Sequence, residues 1–191
     1  GNQPIILTSG LVKSDGTVIE LIQPVKSGVL QLLLYRQGVI TVGSQVEDEG
    51  QVFGPIELNP SLRKAMPFPT GTSGADSLET IVKAVTPEIG DLLRLDRARA
   101  ETLIAFMCST WIIDCLPMGS VLLLSGTDMP AGVNVLRVLQ CGCRHPLMLT
   151  DISRTAIRAL PMSLGLTLLI NQPEVSGATM RAEVNTLPSV V

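Results

Sequence analysis

The stretch Leu124-Ser125-Gly126-Thr127-Asp128-Met129-Pro130-Ala131-Gly132-Val133-Asn134 decides how the second half of the chain is read. Ahead of it, Val121, Leu122 and Leu123 join Leu124 in a short apolar run that predicts a strand. Behind it, residues 132–141 repeat apolar side chains at helical spacing. A strand over 146–150, a short helix over 153–160 and a third strand over 166–170 follow. Such a β-α-β-α-β series implies a parallel sheet, because parallel neighbours need a crossover between them. Upstream, Asp76 and Glu79 form a capping-box pattern before a helix over 77–86 that Pro87 helps to end. A second helix spans 97–115, with Leu103, Met107, Trp111 and Cys115 at a spacing of four. With little polarity on any face it reads as buried, with Trp111 in the core.

A glycine-rich loop between a strand and a helix binds phosphate through its backbone N–H groups. It also needs a lysine for the β and γ oxygens and a hydroxyl for Mg²⁺. Counted from Ser125 and Gly126, this chain has Ala131 at the second glycine, Gly132 at the lysine and Val133, followed by Asn134, at the hydroxyl. Pro130 has no N–H to donate, and Asp128 places a negative charge where a polyphosphate would lie. Loss of the lysine alone removes a charge-assisted bond of roughly 1.5–3 kcal/mol, about 10- to 100-fold in affinity.

The third strand reads Leu166-Thr167-Leu168-Leu169-Ile170-Asn171-Gln172-Pro173-Glu174. Where magnesium and the attacking water would require two carboxylates, Asn171 and Gln172 keep the shape without the charge. Glu174 stands two residues further on, with a different reach.

Together, "SGTDMPAGVNVLRVL" and "TDISRTAIRALPMSLGLTLLINQPE" resemble P-loop ATPase domains of the AAA or helicase type, in particular those related to primase-helicases. The resemblance covers roughly residues 102–175, in order and at matching spacing. It implies an α/β fold with a partial P-loop-type parallel sheet and helices, and places the nucleotide-binding positions at Ser125, Gly126, Gly132, Val133, Asn134, Asn171 and Gln172. Of these, Gly132, Val133, Asn171 and Gln172 cannot perform the family's chemistry. The chain is therefore expected to be a catalytically inactive ATPase-like protein, acting through protein contacts or surviving as a remnant of a mobile-element ATPase. The alternatives are a subunit or fragment of an active helicase- or primase-associated ATPase, and an α/β interaction domain without nucleotide binding.

Residues 1–60 are of another kind. Short β-rich runs at 5–7, 17–22, 29–35 and 39–42 predict a small antiparallel β meander. Asp15-Gly16 lies between the first two runs, and Gln37-Gly38 and Glu49-Gly50 supply further turn signals. Glu47-Asp48-Glu49 reads as a solvated loop tip. Residues 61–75, with Pro67, Pro69, Gly71 and Gly74, read as a linker to a third segment over 76–191. Gly71-Thr72-Ser73-Gly74 has neither a strand before it nor a lysine after it, so it carries no phosphate chemistry.

The 191 residues are 46% hydrophobic but only 3% aromatic, so the core is expected to be aliphatic. A net charge of −3 and the lack of base-stacking rings argue against direct nucleic-acid contact. Four cysteines without a signal-peptide pattern fit reduced thiols, hence a cytoplasmic protein. The apolar stretch 103–124 contains Asp114, Pro117 and Gly119, which argues against a membrane span. Cys141, Cys143 and His145 are too tightly spaced for a structural zinc site and read as helix-end residues with a satisfied histidine. No metal and no cofactor is expected; a protein partner is, and the sequence sets no oligomeric state.

Overall fold

The computed structural model describes residues 4–72, 77–126, 128–150 and 157–171 of the chain. Its architecture is mixed α/β, with nine strands and four α-helices among those residues. The strands are β1 Ile5–Thr8, β2 Gly10–Val12, β3 Val18–Ile22, β4 Gln31–Arg36, β5 Val39–Gly43, β6 Val46–Asp48, β7 Gln51–Pro55, β8 Pro146–Leu149 and β9 Thr167–Ile170. The helices are α1 Pro60–Ala65, α2 Leu78–Leu93, α3 Arg97–Trp111 and α4 Met129–Gly142.

The small antiparallel β module is present as a four-stranded sheet in the order β2-β3-β4-β5. Its hairpins follow from local chemistry. Asp15 accepts the Thr17 N–H at 2.9 Å, and Gly16 takes a positive φ of 86°, which turns β2 into β3. Gln37 and Gly38, at φ 49° and 84°, form the two-residue turn between β4 and β5. The remaining strands depart from the expected meander, because β1 crosses over to pair in parallel with β7, which pairs antiparallel with β6. In the acidic run Glu47 and Glu49 are exposed, as a solvated tip requires, but Asp48 is not. Asp48 is buried at 2% exposure, and its carboxylate lies 2.6 Å from both Lys13 Nζ and Arg36 Nη1.

The expected linker is partly folded and packed. Asn59 caps α1 by accepting the Ser61 N–H at 2.8 Å, and Met66 and Phe68 enter the core with Ile19, Leu21, Leu32, Leu34, Val46 and Phe53. Gly71 and Thr72 are irregular, while Ser73, Gly74 and Asp76 lie outside the described residues.

Two helices differ from their expected bounds. Ser77 caps α2, which continues through Pro87 to Leu93 and ends on Arg94 in the left-handed region. Pro87 removes one N–H, but Leu78, Ile81, Val82, Val85 and Ile89 keep one apolar stripe running across it. α3 stops at Trp111, and a separate 3-10 turn, Ile113–Cys115, follows it. One face of α3 is buried, through Ala100, Leu103, Ile104 and Met107, while its opposite face is exposed. Trp111 is half-buried and donates its Nε1–H to the Gly142 carbonyl at 2.8 Å.

The largest correction concerns residues 121–124, which form no strand. The segment is irregular; Val121 is 94% and Leu123 67% exposed, and only Leu122 reaches the helical core. Strand propensity needs a neighbouring strand to realise it, and none of the described strands pairs here. The expected three-stranded parallel sheet is thus the two-stranded pair β8–β9, in the register Leu147↔Leu168 and Met148↔Leu169. Residues 153–156 of the expected helix over 153–160 lie outside the described residues; Ile157 and Arg158 are helical.

That short pair separates two cores. Leu147 belongs to the β-module core, with Leu149, Leu166 and Leu168 packed against it. Met148 and Leu169 face the other way, into the core made by α2, α3 and α4 with Ile89, Leu103, Ile104, Leu136 and Leu139. Alternation along a strand sends successive side chains to opposite faces, so four residues per strand serve both cores.

Candidate functional site

The sequence points to the loop leading into α4, so its geometry comes first. Ser125 and Gly126 are exposed and irregular; Thr127 lies outside the described residues. Asp128 is the N-cap of α4, and its Oδ1 accepts the Ala131 N–H at 3.1 Å. The carboxylate therefore satisfies one of the donors that a helix start would offer to an anion. Pro130 sits in the first turn, where a missing N–H costs nothing.

Gly126 and Gly132 have no positive φ, and a Cβ at either would meet nothing within 4 Å. Neither glycine is thus required by a strained turn or by close approach of backbone to a ligand. Gly132 and Val133 are partly buried on α4, while Asn134 is exposed. Asn171 follows β9 and donates its N–H to the Leu149 carbonyl at 2.9 Å, continuing the parallel ladder. Gln172 and Glu174 lie outside the described residues. Two surface hollows, of about 390 and 320 Å³, are lined by residues of the β module and α1, and neither touches the loop before α4.

The densest polar chemistry lies elsewhere, where β3 meets the segment after α4. Glu20 projects from the centre of an apolar strand and is 4% exposed. Its Oε2 accepts from Arg144 Nε at 2.6 Å; its Oε1 accepts the Leu21 N–H at 3.0 Å and lies 2.8 Å from His145 Nε2. The other ring nitrogen, Nδ1, is 2.7 Å from the Leu164 carbonyl oxygen. Since a carbonyl can only accept, Nδ1 carries a hydrogen, and one further hydrogen lies between Nε2 and Oε1.

Arg144 also donates from Nη1 to Asp114 Oδ2 at 2.8 Å, and that oxygen accepts the Val12 N–H at 3.1 Å. The main chain is held as firmly. Arg144 N–H donates to Thr110 Oγ1 at 3.0 Å, and Thr167 Oγ1 donates to the Arg144 carbonyl at 2.7 Å. Among the described residues no buried side-chain nitrogen or oxygen lacks a partner. Glu20, Arg144 and His145 are enclosed, while Asp114 is a third exposed; the cluster ties β3, α3, α4 and β9 to one another.

The neighbouring cysteines do not build a metal site with His145. Cys141 is exposed, Cys143 is buried, and the imidazole is already engaged at both nitrogens. Among the described residues no group of three or more histidine, cysteine or acidic side chains could hold a metal ion. Burial pushes the Cys143 thiol up from its ordinary 9.0 to about 11, against a weaker opposing hydrogen bond from Thr110.

Sequence reasoning singles out neither Glu20 nor Arg144, and takes Asp114 only as an interruption of the apolar stretch 103–124. One signal was available: in Val18-Ile19-Glu20-Leu21-Ile22 a lone carboxylate interrupts an otherwise apolar strand, a position that demands a buried partner. No family model matches the chain, and neither a curated protein nor a solved structure does. No described helix is long and apolar enough to cross a membrane.

Proposed function

We propose that this protein is a non-catalytic α/β interaction protein that binds no nucleotide. The observation that carries the reading is the Asp128 cap: its carboxylate holds the Ala131 N–H at the start of α4, where a phosphate group would need that donor. The open space at Gly126 and Gly132 supports it, as does the exposed apolar stretch after α3, with Met118 79%, Val121 94% and Leu123 67% exposed. Apolar side chains grouped on a surface favour a protein partner over a small polar ligand. The four cysteines are free thiols, in keeping with a reducing, cytoplasmic setting.

A second reading, descent from a P-loop ATPase whose chemistry has been lost, is favoured by one observation. β8 and β9 run parallel behind α4, with Asn171 following β9 where that family places a carboxylate. Both readings predict the same titration. Mg-ATP added to the purified protein should give neither binding heat nor turnover; micromolar binding or magnesium-dependent hydrolysis would overturn both.

A further inference from the structure

The sheet β2-β3-β4-β5 ends on one side at β2 and on the other at β5, and the two edges are treated differently. β2 is closed off by the 3-10 turn: Val12 N–H donates to Asp114 Oδ2 at 3.1 Å, and Cys115 Sγ donates to the Val12 carbonyl at 3.5 Å. In the other sheet, β6 carries Glu47 and Asp48, and β1 follows Pro4 beside residues 1–3, which lie outside those described. β5 has none of these devices. Val39-Ile40-Thr41-Val42-Gly43 contains no charge and no proline, and Val39, Ile40 and Val42 are 64%, 46% and 46% exposed.

The direction of its backbone groups follows from the hairpin. In a two-residue turn the closing pair, here Arg36↔Val39, is hydrogen-bonded, and bonded pairs then alternate. Val39, Thr41 and Gly43 therefore direct their amides at β4, while Ile40 and Val42 direct theirs outward. We propose that β5 is the seam of a homodimer, pairing antiparallel with β5 of a second copy about a two-fold axis at Thr41.

In that register Ile40 stands opposite Val42 of the other copy, and Val42 opposite its Ile40. These are the two residues whose N–H and C=O groups face outward, so each pair exchanges two hydrogen bonds. The side chains match as well. Tyr35 lies across from Ile40 and Leu33 across from Val42 within one copy, so two apolar rows run unbroken through the seam. A second copy is the occupant that fits because a two-fold contact must be self-complementary, and an uncharged strand sets no like charges against each other.

Sedimentation velocity on the whole chain tests this. The unaltered protein should show a concentration-dependent dimer. The double variant Ile40→Lys with Val42→Lys should lose at least about 100-fold in dimer affinity, because each lysine meets a lysine across the axis. Far-UV circular dichroism should show that its fold is kept. The matching double glutamate variant should also be monomeric, and an equimolar mixture of the two should dimerise again, since every introduced lysine then faces an introduced glutamate. An unaltered chain that stays monomeric to about 100 µM, a lysine variant that still dimerises, or a mixture that stays monomeric would overturn the proposal.

Discussion

Glu20 Oε2 lies 2.6 Å from Arg144 Nε across 124 residues of chain, joining the middle of β3 to the segment just past α4. Both side chains are nearly sealed from solvent, at 6% and 3% exposure. Burying two charges is expensive in itself, and further hydrogen bonds offset the cost: Leu21 N–H and His145 on Glu20, and Asp114 on Arg144. Glu20→Ala or Arg144→Ala should each cost about 3–5 kcal/mol, because either takes from a buried charge its closest partner of opposite sign. The double variant Glu20→Ala with Arg144→Ala should cost clearly less than the sum of the two. Urea unfolding of the four proteins gives the coupling; additive losses would refute the account.

Gly10 is where β2 lets that arginine in. Its φ is 139°, and a Cβ there would meet the Arg144 guanidinium and the Ile19 carbonyl. Gly10→Ala should therefore lower stability by about 2–3 kcal/mol, from backbone strain and steric clash together. Gly16→Ala is the control: its φ of 86° is also unfavourable, but a Cβ there meets nothing within 4 Å. It should cost only about 1 kcal/mol, and thermal unfolding should rank the two in that order.

The Asp128 cap separates a structural role from an electrostatic one. Asp128→Ala should destabilise the protein by about 1 kcal/mol, and Asp128→Asn, which keeps an acceptor, by much less. Chemical denaturation reads the difference. If Asp128→Asn is as harmful as Asp128→Ala, the side-chain bond to the Ala131 N–H is not what the residue contributes.

Cys143 gives a pH dependence of definite sign. Its thiol titrates near 11 in the folded protein, against an ordinary 9.0, so above pH 9 the unfolded chain loses this proton first. Stability should fall as pH rises from about 9 to about 11 and be insensitive to this group below that window, the full effect being at most a few kcal/mol. Cys143→Ala should flatten that part of the profile relative to the parent, measured by urea midpoint against pH. The same burial should make Cys143 react with a thiol reagent far more slowly than exposed Cys115 and Cys141.

Elements whose signal is local were legible in the sequence. Asp15-Gly16 and Gln37-Gly38 turn where they should, since Gly16, Gln37 and Gly38 take a positive φ and the Asp15 side chain accepts the Thr17 N–H. Leu103 and Met107 face a core because helical spacing alone puts them on one stripe. Elements that depend on a distant partner were not legible. Val121 to Leu124 have every local property of a strand yet find no ladder, while Ile5 to Thr8 find theirs in parallel with a strand some fifty residues away. Asp48 looked like a loop charge because Lys13 and Arg36, which neutralise it, are distant in sequence. At the candidate site, the absence of phosphate-binding side chains could be read residue by residue. The buried cluster could not, because Arg144 and His145 acquire their meaning only from Glu20 on another strand.

The strands β8 and β9 act as a party wall. Leu147 and Leu168 close one room while Met148 and Leu169 close the other, so neither side can be emptied without stripping the shared partition. A chain cut anywhere between Gly71 and Leu78 would leave the first room without Leu147 and the second without the frame that orients β9. The protein should therefore melt as one structure, and its N-terminal sheet should lose stability when cut away from β8 and β9.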